Sequence, residues 1–168
     1  MQGYPPLLMY QSLLVNKEIL DRITSVFTQS PQEEGFLLGC SSQINQITHT
    51  AFLPSSRAGR YYYIPDAMQA TEIIRSWIAQ GVCFCGFIHS HVTAKHNLSE
   101  ADLQFAETLF RAYRIPVLWF GLAVVTGGNV AFQFYSVAKQ GGSIRLSPVS
   151  FEQKTVRPKE DMHESLYR

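Results

Sequence analysis

The chain has 168 residues, of which 46% are hydrophobic and 12% aromatic, which is enough for one domain with a sizeable core and excludes wholesale disorder. Lys and Arg number 14 against 13 Asp and Glu, a balance that gives no electrostatic case for nucleic acid or an anionic membrane as partner. Three cysteines do not make a secreted disulfide framework, and no apolar stretch reaches the roughly 18 residues of a membrane-spanning helix. We therefore predict a reduced, cytoplasmic protein.

The first part of the chain predicts a helix followed by a hairpin. Residues 1–12 are apolar with a Pro-Pro pair and are expected to form an extended arm or an edge strand. Apolar residues then recur at helical spacing from Asn16, which can cap the helix, to Phe27, and Ser30-Pro31 ends it. Gly35–Cys40 has the pattern of a buried strand, and Ile47–Leu53 is its expected hairpin partner.

The middle of the chain predicts a short strand, a helix and a central strand. Tyr61–Ile64 is the short strand; its three adjacent tyrosines cannot all face inward, so at least one is expected to be exposed. Pro65-Asp66 opens the helix, and Gly81 closes it. Val82–Ile88 is dense in apolar residues and ends at a histidine pair, as expected for a central strand that leads into a site. The expected apolar face of the helix consists of Met68, Ile73, Ile74, Trp77 and Ile78.

The last part predicts a helix from Ser99 to about Tyr113 and a hairpin around Thr126-Gly-Gly-Asn129. Together these elements predict an α/β or α+β fold, with one mixed β-sheet flanked by helices. We assign residues 1–142 to a single domain and residues 143–168 to a C-terminal strand (144–149) or a flexible tail.

The chemistry is concentrated in His89-Ser90-His91, followed after seven residues by Ser99-Glu100-Ala101-Asp102. Residues two apart in a strand share a face, so both imidazoles can converge on one small cation such as Zn²⁺. Asp102, in the first turn of the next helix, becomes a third ligand if the loop folds back. Three protein ligands and one open position define a catalytic zinc site.

Other interpretations of these residues remain open. Ser99-x-x-Asp102 is also a capping box, although a cap and a ligand can coexist. Cys83 and Cys85 are in phase with the histidines and can extend a soft-metal site, but we favour buried small hydrophobic residues for both, and likewise for Cys40.

The His89-Ser90-His91 and Ser99-x-x-Asp102 pair, at this spacing, resembles the signature of the JAMM/MPN zinc metalloproteases, which are deubiquitinase-like isopeptidases. The resemblance covers about residues 14–138. Three further features fit it: the helix before Glu33, the strand Gly35-Phe-Leu-Leu-Gly39, and Tyr61-Tyr-Tyr-Ile-Pro-Asp66 leading into a helix. By this resemblance the fold is a cytidine-deaminase-like MPN fold, and residues 1–142 are its metallopeptidase domain.

The resemblance also implies roles for single residues. His89, His91 and Asp102 would ligate Zn²⁺, and Ser99 would stabilise the developing oxyanion or orient the water. An upstream glutamate would act as general base, taking a proton from water and handing it to the leaving amine.

The glutamate is where the sequence departs from the family. Its usual position, three residues before the strand's first glycine, is Gln32 here, and Glu33 and Glu34 follow. A one-residue deletion favours Glu33, whereas strand parity with position 32 favours Glu34. If neither carboxylate reaches the site, the protein is a metal-binding but inactive member.

The resulting hypothesis is a zinc peptidase or isopeptidase that cleaves after the C-terminal tail of a ubiquitin-like or sulfur-carrier protein. The alternative is a non-catalytic MPN-type scaffold that binds protein partners. A deaminase is poorly supported, because the Cys-x-x-Cys and His-x-Glu pair of those zinc enzymes does not occur.

Overall fold

The computed structural model describes residues 12–59, 62–93 and 95–155. Within these ranges the protein is of the α+β class, with three α-helices and a mixed sheet of eight strands beside a two-stranded one. The helices are α1 (Lys17–Gln29), α2 (Ala67–Ala79) and α3 (Glu100–Tyr113). The strands are β1 (Ser12–Asn16), β2 (Gly35–Cys40), β3 (Gln46–Ile47), β4 (His49–Leu53), β5 (Ser55–Ala58), β6 (Tyr63–Pro65), β7 (Cys83–His91), β8 (Leu118–Thr126), β9 (Asn129–Gln140) and β10 (Ser143–Lys154).

The large sheet nearly closes on itself and is barrel-like. Its strand order is β3-β1-β10-β9-β8-β7-β2-β4. Strand β1 is parallel to β3 and β10, β7 is parallel to β8, and the other pairs are antiparallel. The two outermost strands, β3 and β4, are separated in sequence only by Thr48, whose N–H donates to the Gly39 carbonyl at 2.9 Å. The predicted mixed sheet flanked by helices is therefore confirmed. Its near closure was not predicted.

Two apolar cores form, one on each face of this sheet. On one face α1 buries Ile19, Leu20, Ile23 and Phe27 against residues of β1, β2, β7, β8 and β9. On the other face α2 and α3 pack against Phe87 and Phe120. Every second residue of a strand faces the same core, so a strand position on the α2–α3 face can serve a site beside those helices.

The helices begin and end close to the predicted residues. Asp66 caps α2 by accepting the N–H groups of Met68 and Gln69, and Gly81 follows with a φ of +75°. The predicted apolar face of α2 is wrong at its margins. Ile74 and Trp77 are buried, but Met68 is 79% and Ile78 66% exposed, because they flank the stripe that packs against the sheet.

The strands agree with the predictions where pairing is local. Strand β2 has the predicted bounds, and Gly127 and Gly128, both at positive φ, turn β8 into β9. Ile47 pairs with β1 rather than with β2, and β5, which pairs with β6, was not predicted. The expected arm at residues 1–12 lies outside the described residues except for Ser12.

The C-terminal segment continues the sheet as far as Lys154, where β10 ends. It is antiparallel to β9 and parallel to β1, so it lies between two strands. The domain division at residue 142 stays a prediction. Among the described helices, none combines the length and apolar character needed to cross a lipid bilayer.

A bulge in β7 overturns the expected phase of the cysteines. Gly86 pairs with Leu38 and Phe84 with Gly39, so Cys85 is one residue in excess. Cys85 therefore packs in the α1 core, on the face opposite Phe87 and the histidines. Cys40 and Cys85 are buried as expected, but Cys83 is exposed.

Candidate metal centre

His89 and His91 lie at the carboxyl end of the central strand β7, with their rings on the α2–α3 face of the sheet. The strand is held on both sides, antiparallel to β2 and parallel to β8. The Nε2 atoms of the two rings are 3.2 Å apart, and both side chains are buried. The two imidazoles thus present one nitrogen each to the same small space.

Asp102 adds a carboxylate to this space from the first turn of α3. Its Oδ1 is 2.8 Å from Nε2 of His89, and its Oδ2 is 3.3 Å from Nε2 of His91. One ligand atom from each of the three residues lies within 4.8 Å of the others. Ligand atoms of a tetrahedral site with bonds of about 2.0–2.2 Å are roughly 3.3 Å apart. The His89, His91 and Asp102 group could therefore hold a metal ion.

The hydrogen bonds of His91 favour a cation in the same space. Nδ1 of His91 lies 3.1 Å from the Lys95 carbonyl, which can only accept, so Nδ1 carries a proton. In the neutral ring Nε2 is then a bare acceptor, and it faces the acceptor oxygen of Asp102. Two facing acceptors repel unless a proton or a metal ion lies between them. The Lys95 carbonyl is also the type of outer partner that fixes a metal-binding imidazole.

The pKa directions in the metal-free protein agree with this picture. Burial by itself would raise the pKa of Asp102, but hydrogen bonds from His89 and His91 hold that pKa well below its usual range. Burial by itself would lower the pKa of His91, but its bonds to Asp102 and to the Lys95 carbonyl raise it. The side chains of His89, His91 and Asp102 therefore surround a site where a positive charge is stabilised.

On its Nδ1 side, His89 contacts aromatic rings and makes no hydrogen bond to the described part of the chain. Its ring stacks on Phe87 at a centroid distance of 6.1 Å and meets the edge of Phe120 at 5.6 Å. Its Nδ1 is buried and has no hydrogen-bond partner among the residues that the structure describes. Aromatic packing and the contact of Nε2 with Asp102 together orient this ring.

Ser99 and Asp102 form a capping box, and Asp102 is also available to a metal. The Ser99 hydroxyl accepts the N–H of Asp102 at 3.2 Å and donates to Asp102 Oδ2 at 2.8 Å. The backbone N–H of Ser99 donates to the same Oδ2 at 2.7 Å. Oδ1 faces His89 and takes no part in the cap. The cap and the candidate ligand thus coexist in one side chain.

Glu33 lies in the same cavity as these residues. It directly precedes β2, is only 6% exposed, and lines the cavity together with His89, His91, Ser99 and Asp102. Burial raises its pKa to about 7; the Asp102 carboxylate adds to the rise, while His91 and Lys95 oppose it. Gly35 pairs with His89 across the sheet, and Glu33 is two residues before Gly35. The side chains of Glu33 and His89 therefore project to the same face of the sheet.

Glu34 points elsewhere. Its Oε1 accepts a hydrogen bond from the Ser30 hydroxyl at 3.0 Å, it is half-buried, and it is not among the residues that line the cavity. Gln32, at the position where the family resemblance expects glutamate, is exposed. Of the two carboxylates that the sequence left open, only Glu33 is placed beside the histidines.

The cavity is small, about 130 Å³, and four of its lining residues are phenylalanine or tyrosine: Tyr62, Tyr63, Phe87 and Phe105. The Tyr63 hydroxyl donates to the Leu53 carbonyl at 2.6 Å, and burial raises the pKa of Tyr63 well above its usual value, so the ring is a fixed wall rather than an acid. Tyr62 is 46% exposed, in line with the expectation for the tyrosine cluster, whereas Tyr61 lies outside the described residues. Phe87, Lys95 and Phe105 also line the cavity, although no sequence pattern pointed to them.

These features define an α+β protein with a nearly closed mixed sheet and a buried His-His-Asp group that could hold a metal ion. No protein-family model matches the chain, and no curated protein sequence matches it. Several solved structures, however, are similar to this chain in fold. A solution structure of a Desulfitobacterium hafniense protein has a TM-score of 0.62 at 13% identity and covers 85% of this chain and 94% of its own. One from Salinibacter ruber has a TM-score of 0.51 at 19% identity, covering 89% and 94%. At these identities the similarity shows the fold alone.

Proposed function

We propose that this protein is a zinc-dependent peptidase or isopeptidase with a JAMM/MPN-type domain of cytidine-deaminase-like fold. The observation that carries the proposal is one cavity that contains His89, His91 and Asp102 together with the buried carboxyl group of Glu33. The sequence resemblance assigns the same residues to one site.

The donor set fits zinc better than a harder ion. Two imidazole nitrogens and one carboxylate oxygen are ligands that Zn²⁺ accepts, whereas Mg²⁺ and Ca²⁺ prefer oxygen alone. Three protein ligands leave a fourth position open, as in catalytic zinc sites. A zinc ion held there would supply Lewis-acid chemistry, activating water and polarising a carbonyl group.

Glu33 is suited to move protons in this reaction. In the metal-free protein, burial raises the pKa of this carboxyl group to about 7, near the pH at which it can both accept and donate a proton. It would take a proton from the attacking water and deliver it to the nitrogen of the departing amine, which leaves poorly unless protonated. The buried position of Glu33 limits exchange of this proton with solvent.

Ser99 holds the carboxylate of Asp102 in place by the bonds described above. Its hydroxyl also lines the cavity, so it can donate to a substrate oxygen if it gives up its 2.8 Å bond to Asp102. The small volume of the cavity, with Tyr62, Tyr63, Phe87 and Phe105 in its lining, suits an extended chain of small residues. This supports, as substrate, the C-terminal tail of a ubiquitin-like or sulfur-carrier protein.

A non-catalytic scaffold is the second candidate. The specific observation in its favour is the exposed Gln32 at the position where the resemblance expects the catalytic glutamate. Under this alternative the metal would stabilise the domain, and Glu33 would have no role in turnover.

Metal analysis combined with hydrolysis of a linear fusion tests the proposal. The substrate is a ubiquitin-like protein extended beyond its Gly-Gly tail. We expect about one zinc per chain, and Glu33→Gln should lower kcat/KM by roughly a hundredfold or more. Glu34→Gln is the matched control, since its side chain points to Ser30, and it should remain within about threefold of the wild type.

Two histidine variants, one at a candidate ligand and one in the neighbouring loop, test metal binding. His91→Ala should lose the zinc, whereas His96→Ala, in the neighbouring loop and exposed, should retain it. Stoichiometric zinc without hydrolysis of any ubiquitin-like fusion, and with no effect of Glu33→Gln, would support the scaffold.

A further inference from the structure

Ser90 lies between the two histidines, and its side chain projects to the opposite face of the sheet. It has no exposed surface. Ile88, the nearest residue of β7 on that face, belongs to the apolar core beneath α1. A hydroxyl group buried there is costly unless it is hydrogen-bonded. The bonds that Ser90 makes therefore indicate what this polar residue does.

The Ser90 hydroxyl replaces a backbone group in the ladder between β2 and β7. Ser90 stands opposite Glu34, one step beyond the Gly35–His89 pair. The Ser90 N–H donates to the Glu34 carbonyl at 2.9 Å. In a regular antiparallel ladder the return bond would run from the Glu34 N–H to the Ser90 carbonyl. Here the Glu34 N–H donates to the Ser90 Oγ at 2.9 Å. The backbone hydrogen bonds between the two strands thus end at Ser90, but its side chain still binds β7 to the segment that precedes β2.

The peptide units on both sides of Glu33 are consequently fixed. On one side the Glu33 N–H donates to the Gly59 carbonyl at 2.9 Å. On the other side the Glu34 N–H is held by Ser90. With both peptide units fixed, the direction of the Cα–Cβ bond of Glu33 is set. The carboxyl group is directed into the cavity that the histidines line.

We propose that Ser90 is a positioning residue, which sets the location of the Glu33 carboxyl group relative to His89 and His91. A single strand, β7, would then carry the candidate metal ligands on one face and hold the segment of the general base from the other. The inference rests on the proposed function, since it assigns Ser90 a part in the same reaction. Displacement of a catalytic group by about 1 Å can cost roughly a hundredfold in rate.

The first test separates turnover from binding. Ser90→Ala should lower kcat by about tenfold to a hundredfold, leave KM within about threefold, and retain the zinc content of the wild type. Ser90→Thr, which keeps the hydroxyl group, should recover most of the rate. In a Glu33→Gln background Ser90→Ala should cause no further loss. An equal loss in both backgrounds would overturn the proposal, because Ser90 would then not act through Glu33.

Thr50 of β4 offers a matched control, because its side chain bonds to the backbone of the strand that follows Glu34, β2. Its hydroxyl donates to the Leu37 carbonyl of β2 at 3.0 Å, so it is also a side chain bonded to the backbone of that strand, but from the β4 side. Thr50→Val removes this bond without touching the cavity. It should lower stability by an amount similar to Ser90→Ala and leave kcat unchanged. A comparable fall of kcat in both variants would show a general packing effect and contradict the proposal.

A second test does not depend on activity. In zinc-free protein, hydrogen exchange of the Glu34 amide measured by NMR should be about tenfold faster in Ser90→Ala than in the wild type and should recover in Ser90→Thr. Crystal structures of the same variants should show the Glu33 carboxyl group displaced only in Ser90→Ala. Unchanged exchange and an unmoved carboxyl group would overturn the proposal.

The two tests distinguish this inference from the proposed function. If the wild type hydrolyses no fusion, the proposed function fails, and with it the catalytic meaning of the placement. Exchange and crystallography would still decide whether Ser90 places Glu33. If Ser90→Ala does not fold, Ser90→Cys keeps the volume but accepts hydrogen bonds only weakly, and the same outcomes are expected.

Discussion

Oδ1 of Asp102 lies 2.8 Å from Nε2 of His89, although Asp102 is in the first turn of a helix and His89 is near the end of a strand. The second oxygen of the same carboxylate accepts two hydrogen bonds from Ser99. The orientation of the carboxylate is therefore determined by the helix cap. The start of α3 and the candidate metal site are one structure, and weakening the cap should weaken metal binding.

Ser99→Ala tests this coupling. The variant removes a capping side chain, which should cost about 1 kcal/mol of stability. It also removes one of the two hydrogen bonds that Ser99 donates to the Asp102 carboxylate, which should weaken zinc binding by about tenfold or more. Asp66→Ala is the matched control, because Asp66 caps α2 in the same way. It should lose a similar free energy of unfolding with unchanged zinc affinity. Urea denaturation and zinc titration against a chelator measure both; equal zinc affinity in the two variants would contradict the coupling.

The raised pKa of Glu33 predicts a pH-dependent stability of the metal-free protein. Burial raises this pKa from about 4.5 to about 7, so the folded state holds its proton more tightly than the unfolded state. The favourable contribution is complete below about pH 4.5 and is lost as the pH rises through 7. Relative to Glu33→Gln, the wild type should lose about 2–3 kcal/mol across this interval. Urea denaturation at several pH values measures it, and parallel profiles would refute it.

Two glycines of neighbouring strands should differ in their tolerance of alanine. A Cβ atom at Gly86 would lie 2.3 Å from the backbone oxygen of Trp119, which cannot move without separating β7 from β8. At Gly35 the new atom would meet side-chain atoms of Phe87 and Tyr63 at 2.7–2.9 Å, and these can yield by a smaller rearrangement than a backbone oxygen inside the sheet. We expect Gly86→Ala to cost more than about 3 kcal/mol or to prevent folding, and Gly35→Ala to cost about 1–3 kcal/mol. Thermal and urea unfolding measure the two losses of stability. A larger loss in Gly35→Ala than in Gly86→Ala would contradict the prediction.

Two isoleucines of α2 test which side of that helix packs. Ile74 is 6% exposed and belongs to the core on the α2–α3 face, whereas Ile78 is 66% exposed. Ile74→Ala should cost about 2–4 kcal/mol and Ile78→Ala less than about 1 kcal/mol. Each variant is the control for the other, and similar losses in urea denaturation would show that Ile78 is also packed.

The elements that local sequence patterns encode could be predicted. The spacing of apolar residues predicted α1 and α2, and the Gly127-Gly128 turn predicted the hairpin of β8 and β9. Parallel pairing of β1 with β10 could not be predicted, because it joins residues at opposite ends of the chain. The exposure of Met68 and Ile78 has a related cause: helical spacing shows a stripe, but its width depends on the surface that receives it.

The site was predictable only in part. The spacing of His89, His91 and Asp102 follows from the geometry of one strand and one helix turn, so sequence patterns could bring them together. The choice between Glu33 and Glu34 depends on how β2 is aligned with β7, and an offset of one residue reverses the face of every side chain. That alignment is a long-range property, here expressed in the Gly35–His89 pair and the bonds of Ser90.

The position of Thr48 between the two outermost strands has a consequence for solubility. Foreign strands add at unpaired sheet margins, and aggregation of β-proteins often starts there. In the part of the chain that the structure describes, every strand of the large sheet with six or more residues has a neighbour on both sides, and the outermost strands have two and five residues. We therefore expect fibrils or amorphous aggregates to form from molecules in which β3 and β4 have separated from the sheet, rather than from the intact fold.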